Sequence, residues 1–331
     1  MKQSSGRISL SLAVFAALSC LFATVALAAV ITGTNGNDRL NGSNDNDTIN
    51  GLAGRDRISA RGGNDVVNGG RGYDRIFAGD GNDQANGNQG RDVVRGGNGD
   101  DTVRGGGGAP GRRADLLFGN AGNDTVFGGP GYDFIAGNLG NDVLNGGGGR
   151  DRIFGGAGDD TVNGGPGVFK KGKRFGDRLH GGDGNDKVNG GEGRDYISGG
   201  KGDDVSNGGA GNDKIFANLG QDTSNGGDGN DTLWAVARGD VQFQGDPLGD
   251  TLNGGNGDDT IHVRDGERDI VTCGAGNDKV FADQFDVIVG ASDTDANGRC
   301  EQVTRNSVAE DDSSENKNQS PSEDKKENGK A

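Results

Sequence analysis

The sequence predicts an all-β solenoid of short parallel strands, wound from two repeats per coil. Three observations carry this prediction. From Gly181 to Trp234 the chain reads GGDGNDKVN, GGEGRDYIS, GGKGDDVSN, GGAGNDKIF, ANLGQDTSN and GGDGNDTLW, six nonapeptides on the template G-G-x-G-x-D-x-U-x with U taken as aliphatic. The aspartates Asp186, Asp195, Asp204, Asp213, Asp222 and Asp231 advance there by a strict step of nine. The residue before Asp alternates along the chain. Arg55, Tyr73, Arg91, Tyr132, Arg150 and Arg194 fall on one set of repeats, and Asn64, Asn82, Asp100, Asn123, Asn141, Asp159, Asn185 and Asp203 on the other. The residue after U alternates with it, placing Asn68, Asn86, Asn145, Asn163, Asn189, Asn207 and Asn225 on the second set. The true period is therefore eighteen, two loops and two strands per coil, with like loops stacked on one edge.

Each half of the template has its own physical reading. The x-U-x triplet alternates polar, apolar, polar, which is a short half-buried strand. One such strand is far below independent stability, but many stacked in parallel with U inward make a thin two-sheet solenoid. The glycines supply backbone angles, including φ > 0, that side chains forbid.

In these residues the chain resembles the calcium-binding nonapeptide repeat of the RTX (hemolysin-type) family. The resemblance implies a right-handed parallel β-roll with calcium held between loops eighteen residues apart. Elementary chemistry agrees, since calcium takes six to eight oxygens from carboxylates and carbonyls alike. A glycine-rich turn ending in Asp offers both. The expected metal ligands are Asp38, Asp47, Asp56, Asp65, Asp74, Asp83, Asp92 and Asp101 in a first run. Asp124, Asp133, Asp142, Asp151 and Asp160 form a second run. Asp186, Asp195, Asp204, Asp213, Asp222 and Asp231 follow, then Asp250, Asp259 and Asp278. The expected cofactor is multiple Ca2+ ions.

In chain order, residues 1–28 read as a secretory signal peptide: Lys2 and Arg7, an apolar run from Ile8 to Leu27, and Ala26-Leu27-Ala28 as a cleavage site. Ser9, Ser11, Ser19 and Thr24 within the run weigh against a retained anchor. The β-roll is expected over 29–281, with loop insertions near 108–113, 167–175 and 235–249. The first two insertions lie between the glycines and the Asp, so they should bulge from loops and leave the strands in register. They delay Asp115 and Asp177, whose loops are expected to bind calcium poorly. The third stretch is either one loop with a ten-residue insertion or a degraded repeat followed by GDPLGDTLN. VRDGERDIVT is read as degenerate. Glycines then thin out over 282–306, a C-terminal cap that covers the open strand edges. Cys273 and Cys300 are the cysteines left after signal removal, and an even pair in an exported chain reads as a disulfide. Residues 307–331 are charged and without apolar periodicity, a disordered tail.

Composition narrows the function. Net charge is −16, which argues against a nucleic-acid partner. Rows of stacked aspartates repel one another without calcium, and 70 glycines raise the entropy cost of ordering. Calcium-coupled folding is therefore expected. His180 and His262 follow U positions and should point outward, no nucleophile elbow or phosphate loop is present, and the repeats leave no room for an added catalytic domain. The chain is not expected to be an enzyme or to insert stably in a membrane. Phe77, Phe118, Phe154, Phe216 and Trp234 share the position after U and should form an outward stripe, suited to polysaccharide or to self-association. Many RTX proteins are exported by a C-terminal signal, whereas this chain begins with an N-terminal one. The expected role is thus a secreted, structural calcium-binding protein of the extracellular matrix or cell surface. An adhesin or polysaccharide-binding module is the second expectation.

Overall fold

A computed structural model describes residues 28–107, 113–170, 173–235, 249–289 and 300–305. The expected signal peptide, the tail, most of the third insertion and the middle of the cap lie outside the described residues.

The described chain is a parallel β-solenoid of about 13 turns, with no helix. At strand spacing this is about 60 Å long. Two sheets face each other. In the first, Val30–Thr32, Thr48–Asn50, Val66–Gly72, Gln84–Gly90 and Thr102–Gly107 pair in succession. In the second, Arg39–Asn41, Arg57–Gly62, Arg75–Asp80, Val93–Asn98 and Arg113–Ala121 do the same. The register is eighteen wherever the repeats are unbroken, as in Ile58↔Ile76 and Val67↔Ala85. Strands are longer than the expected triplet, because coil-to-coil pairing continues into the glycine turn: Arg57–Gly62 has 6 residues and Val66–Gly72 has 7.

The core is a single file of side chains from alternating sheets. Ile58, Val67, Ile76, Ala85 and Val94 begin a series, all at most 3 % exposed, that continues to Val271 and Val280. The next inward position is the first glycine of each pair, replaced by Ala60, Ala78, Ala217, Ala235, Val263, Cys273 and Ala282. Two U positions depart from the aliphatic expectation. Ser206 and Ser224 are adjacent rungs of the first sheet, 2 % and 1 % exposed, and neither hydroxyl has a hydrogen-bond partner.

The insertions leave the ladder intact. Leu116 pairs with Val93 and Arg152 with Arg178 across the first two. Val168–Lys170 and Lys173–Phe175 form an antiparallel hairpin of their own. The third insertion is one loop within a coil, since Asn225 pairs with Asn253 and Trp234 with His262. VRDGERDIVT also forms a coil, with Ile270 opposite Thr251. At the C-terminal end, Cys273 and Cys300 are joined by a disulfide with a Cα–Cα distance of 5.2 Å. The Arg305 guanidinium donates to the carbonyls of Asp283 (2.6 Å) and Asp286 (3.4 Å).

The two outer faces differ. The first sheet carries an asparagine ladder, with Asn68 Nδ2 donating to Asn50 Oδ1 at 3.1 Å and Asn253 to Asn225 at 2.7 Å. The second carries a continuous aromatic stack through Phe118, Phe134, Phe154, His180, Tyr196, Phe216, Trp234, His262 and Phe281. From Phe216 onward the rings lie face to face, with interplanar angles of 3°, 7° and 13°. Their faces are spent on one another, as stacked side chains on adjacent rungs favour.

Candidate metal centre: two ladders of buried aspartates

Most strands begin just after an aspartate, and the coil period stacks those aspartates on the two edges of the solenoid. On the edge leading into the second sheet the order is Asp38, Asp56, Asp74, Asp92, Asp115, Asp133, Asp151, Asp177, Asp195, Asp213, Asp231, Asp259 and Asp278. On the opposite edge it is Asp47, Asp65, Asp83, Asp101, Asp124, Asp142, Asp160, Asp186, Asp204, Asp222, Asp250 and Asp269. The link is the same at each step: the backbone N–H of one aspartate donates to Oδ1 of the aspartate one coil on, for example Asp56 to Asp74 and Asp142 to Asp160, both at 2.8 Å.

All 22 aspartates expected from the sequence take ladder positions, and three more join them. Asp115, Asp177 and Asp269 lie in loops whose glycine half is interrupted, yet each is followed two residues later by Leu117, Leu179 or Val271 in the core. That intact D-x-U half was the available signal. The second ladder ends on Asp286, whose Oδ1 accepts from the Asp269 N–H at 3.2 Å, and the first on Glu301, whose Oε2 accepts from Asp278 at 2.7 Å.

The other carboxylate oxygen is the chemically informative one. Oδ2 of Asp56, Asp65, Asp74, Asp83, Asp92 and Asp101 is buried without any hydrogen-bond partner, and the pattern continues to Asp278. What these oxygens face is set by glycine. A Cβ added at Gly69 would lie 2.7 Å from Asp74 Oδ2 and 2.9 Å from the Gly87 carbonyl one coil on. At Gly146 the same two neighbours are Asp151 Oδ2 at 2.6 Å and the Gly164 carbonyl at 2.8 Å. The second glycine of the pair, such as Gly70 at φ +109°, takes a conformation that L side chains avoid and turns the loop. Each loop therefore gathers a bare carboxylate oxygen and carbonyls from two coils, an all-oxygen donor set that fits calcium. Among the described residues no three carboxylate, histidine or cysteine side chains form a metal cluster.

The first two loops are built differently. Thr34 and Ser43 stand at the second-glycine position. The Thr34 N–H and hydroxyl donate to Asp38 Oδ2 at 2.6 and 2.9 Å, and those of Ser43 to Asp47 Oδ2 at 2.6 and 3.0 Å. Their carboxylates are already satisfied.

Burial and mutual repulsion push the remaining carboxyls up. Desolvation is the main cause wherever a carboxyl is raised, opposed by the N–H bond and, at Asp65, Asp92 and Asp133, reinforced by the aspartates above and below. Asp65 is raised to about 6, Asp92, Asp133 and Asp160 to about 7, and Asp213 to about 8. Asp250 reaches about 9, with Asp222, Asp265 and Glu267 nearby. Without a cation these groups hold their charge poorly near neutral pH.

A family model described as the RTX calcium-binding nonapeptide repeat (4 copies) matches residues 30–58, 42–76, 59–94, 77–109, 111–135, 136–168, 172–206, 198–233 and 244–280. No curated protein matches the chain.

Proposed function

Because the chain belongs to the RTX calcium-binding nonapeptide repeat family, we propose that it is a secreted structural protein whose repeat region folds as it binds multiple calcium ions. Calcium binding is the property of its repeats; the coupling to folding, the number of ions and the extracellular setting are our reading. The observation that carries it is the file of buried, unpartnered Oδ2 atoms. An unpaired buried carboxylate is strongly destabilising, so the metal-free roll bears this penalty many times over. A core one side chain thick has little area burial to offset it. Calcium held by the ladder aspartates and the glycine carbonyls removes the penalty, and ligation energy becomes folding energy.

The expected signal over 1–28 supports export, and extracellular calcium modules typically have dissociation constants of about 10⁻⁴–10⁻³ M. Such affinity keeps the chain unfolded at cytosolic calcium and folded outside the cell. The organised residues are ligands and core side chains, which supports a structural, non-catalytic role. Far-UV circular dichroism of the mature chain during a calcium titration from chelator tests the proposal. A steep coil-to-β transition at about 0.1–1 mM is expected. Full β signal in chelator, unchanged by calcium, overturns it.

The second reading, a polysaccharide-binding module, draws support from one place only. Most rings of the aromatic stack face each other, but Tyr196 and Phe175 remain 38 % and 40 % exposed beside a cationic groove.

A further inference from the structure

The chain is acidic, yet its charges are sorted by surface. The outward positions flanking U on the second sheet hold Arg57, Arg75, Arg95, Arg152, Arg178 and Lys214, and none of its rungs carries an Asp or Glu there. The edge leading into that sheet adds Arg55, Arg91, Arg150 and Arg194. The acidic loop residues Asp80, Asp100, Asp159 and Asp203 stand on the opposite edge, while Glu192, Asp228 and Asp258 share the cationic one. Several of the sheet's cations rest on rings: the Arg95 guanidinium lies 4.7 Å from the Phe118 centroid and Lys214 Nζ 5.7 Å from that of Trp234.

Cations also gather where the hairpin of the second insertion joins the edge. A groove of about 660 Å³ opens there, lined by Arg150, Arg178, Arg194 and Lys214 with Phe175 and Tyr196. The four basic residues come from four successive coils, so they are stepped along the solenoid axis at about 4.8 Å per rung. Arg150, Arg194 and Lys214 are exposed, and Arg194 Nε also donates to the Asn212 carbonyl at 3.4 Å. The floor includes the ladder aspartates Asp177 and Asp195.

We propose that this groove binds a run of an acidic polysaccharide, a sugar polymer with a carboxylate on successive rings, laid along the solenoid axis. Three features select that partner. Guanidinium groups match carboxylates as bidentate forks, and their axial stepping suits a polymer that repeats its charge. The exposed parts of the Tyr196 and Phe175 side chains offer apolar surface to the rings between charges. The opposite edge carries Asp80, Asp100, Asp159 and Asp203, which disfavours a polyanion there. Calcium assists, since the bare floor carboxylates repel the ligand and divalent ions there remove that repulsion. The proposal rests on the calcium-binding reading for that last point only.

The test uses the full mature chain in 5–10 mM calcium (about ten times the upper affinity expected of such sites), after circular dichroism has established that each protein is folded. Hexagalacturonate, too short to gel with calcium, is titrated calorimetrically against wild type and the variant Arg150→Gln/Arg194→Gln/Lys214→Gln. A charge-matched control, Arg104→Gln/Lys187→Gln/Lys201→Gln, changes the first sheet and the opposite edge. Binding to wild type and control, weakened by salt and reduced about tenfold or more in the groove variant, is expected. If the groove variant does not fold, Lys214→Glu alone is expected to weaken binding about threefold or more. Equal binding by the groove variant overturns the proposal. So does no binding to wild type, equal binding of neutral hexagalactose, or stronger binding of polyphosphate or single-stranded nucleic acid. Because folding is measured separately, β signal in chelator sinks the calcium-coupled reading without deciding the groove.

Discussion

Asp160 lies 1 % exposed between Asp142 and Asp186 of its ladder, with Oδ1 bonded to the Asp142 N–H and Oδ2 bare. Removing its charge while keeping its shape has opposite effects in two solutions. In chelator, Asp160→Asn eliminates a buried charge and is expected to raise the small folded fraction. In calcium it removes a ligand and is expected to lower the melting temperature and raise the calcium midpoint about twofold or more. Thermal melts of both proteins with and without calcium check the sign change. Protons should imitate part of what calcium does. An aspartate whose pKa is raised on folding stabilises the fold fully below its unfolded value of 3.8, and that contribution is lost as the pH rises through the folded values of about 6 for Asp65 and about 8 for Asp213. Metal-free chain is therefore expected to gain β signal as the pH falls from 8 toward 5, read by circular dichroism in chelator. In the same window calcium competes with protons, so its midpoint rises as the pH falls. The buried serines make a third case. Ser206 and Ser224 stack on adjacent rungs with unpartnered hydroxyls, and Ser206→Val or Ser224→Val is expected to stabilise the calcium-loaded protein by about 1–3 kcal/mol each, measured by denaturant unfolding.

The elements follow the D-x-U half of the repeat more than its glycine half. Asp177 follows an eight-residue insertion and still lands on its ladder, because Leu179 is in the core and Arg178 pairs with Arg152. The insertion is a separate antiparallel hairpin, so deleting 168–175 is expected to leave the calcium midpoint within about twofold while removing part of the groove. Circular dichroism and ligand titration read the two effects separately. The coil, its eighteen-residue period and the ladders were legible in the sequence because glycine, aspartate and the aliphatic each report one local requirement. Less was legible where those requirements part company. VRDGERDIVT lacks the glycine pair but keeps Asp269-Ile270-Val271, and tertiary stacking supplies the rest. The ring faces turned on one another were invisible, since position alone says a side chain is outward and says nothing about what lies a rung away. At the cap, the disulfide closes a loop of 27 residues and secures the last rungs. Its reduction is expected to cost about 3 kcal/mol in the loop-entropy account and to shift the calcium transition upward, measurable by titration with and without reductant.

At the scale of the whole molecule, contacts run mainly between neighbouring coils, so stability is close to a sum of coil and interface terms. Net charge works on all coils together. The chain begins from −16, and eight divalent ions cancel it. Calcium therefore changes how the molecule meets other charged polymers as well as whether it is folded. The single tryptophan offers a view of this from inside. Trp234 lies between Phe216 and His262, at centroid distances of 4.4 and 5.3 Å on the rungs before and after it. An indole clamped between two parallel rings is an optical probe of three consecutive coils, because its emission shifts as the rungs on either side remove it from water. A solenoid that assembles rung by rung thus carries its own position-marked lamp, one that lights a single place along its length rather than the average of the whole.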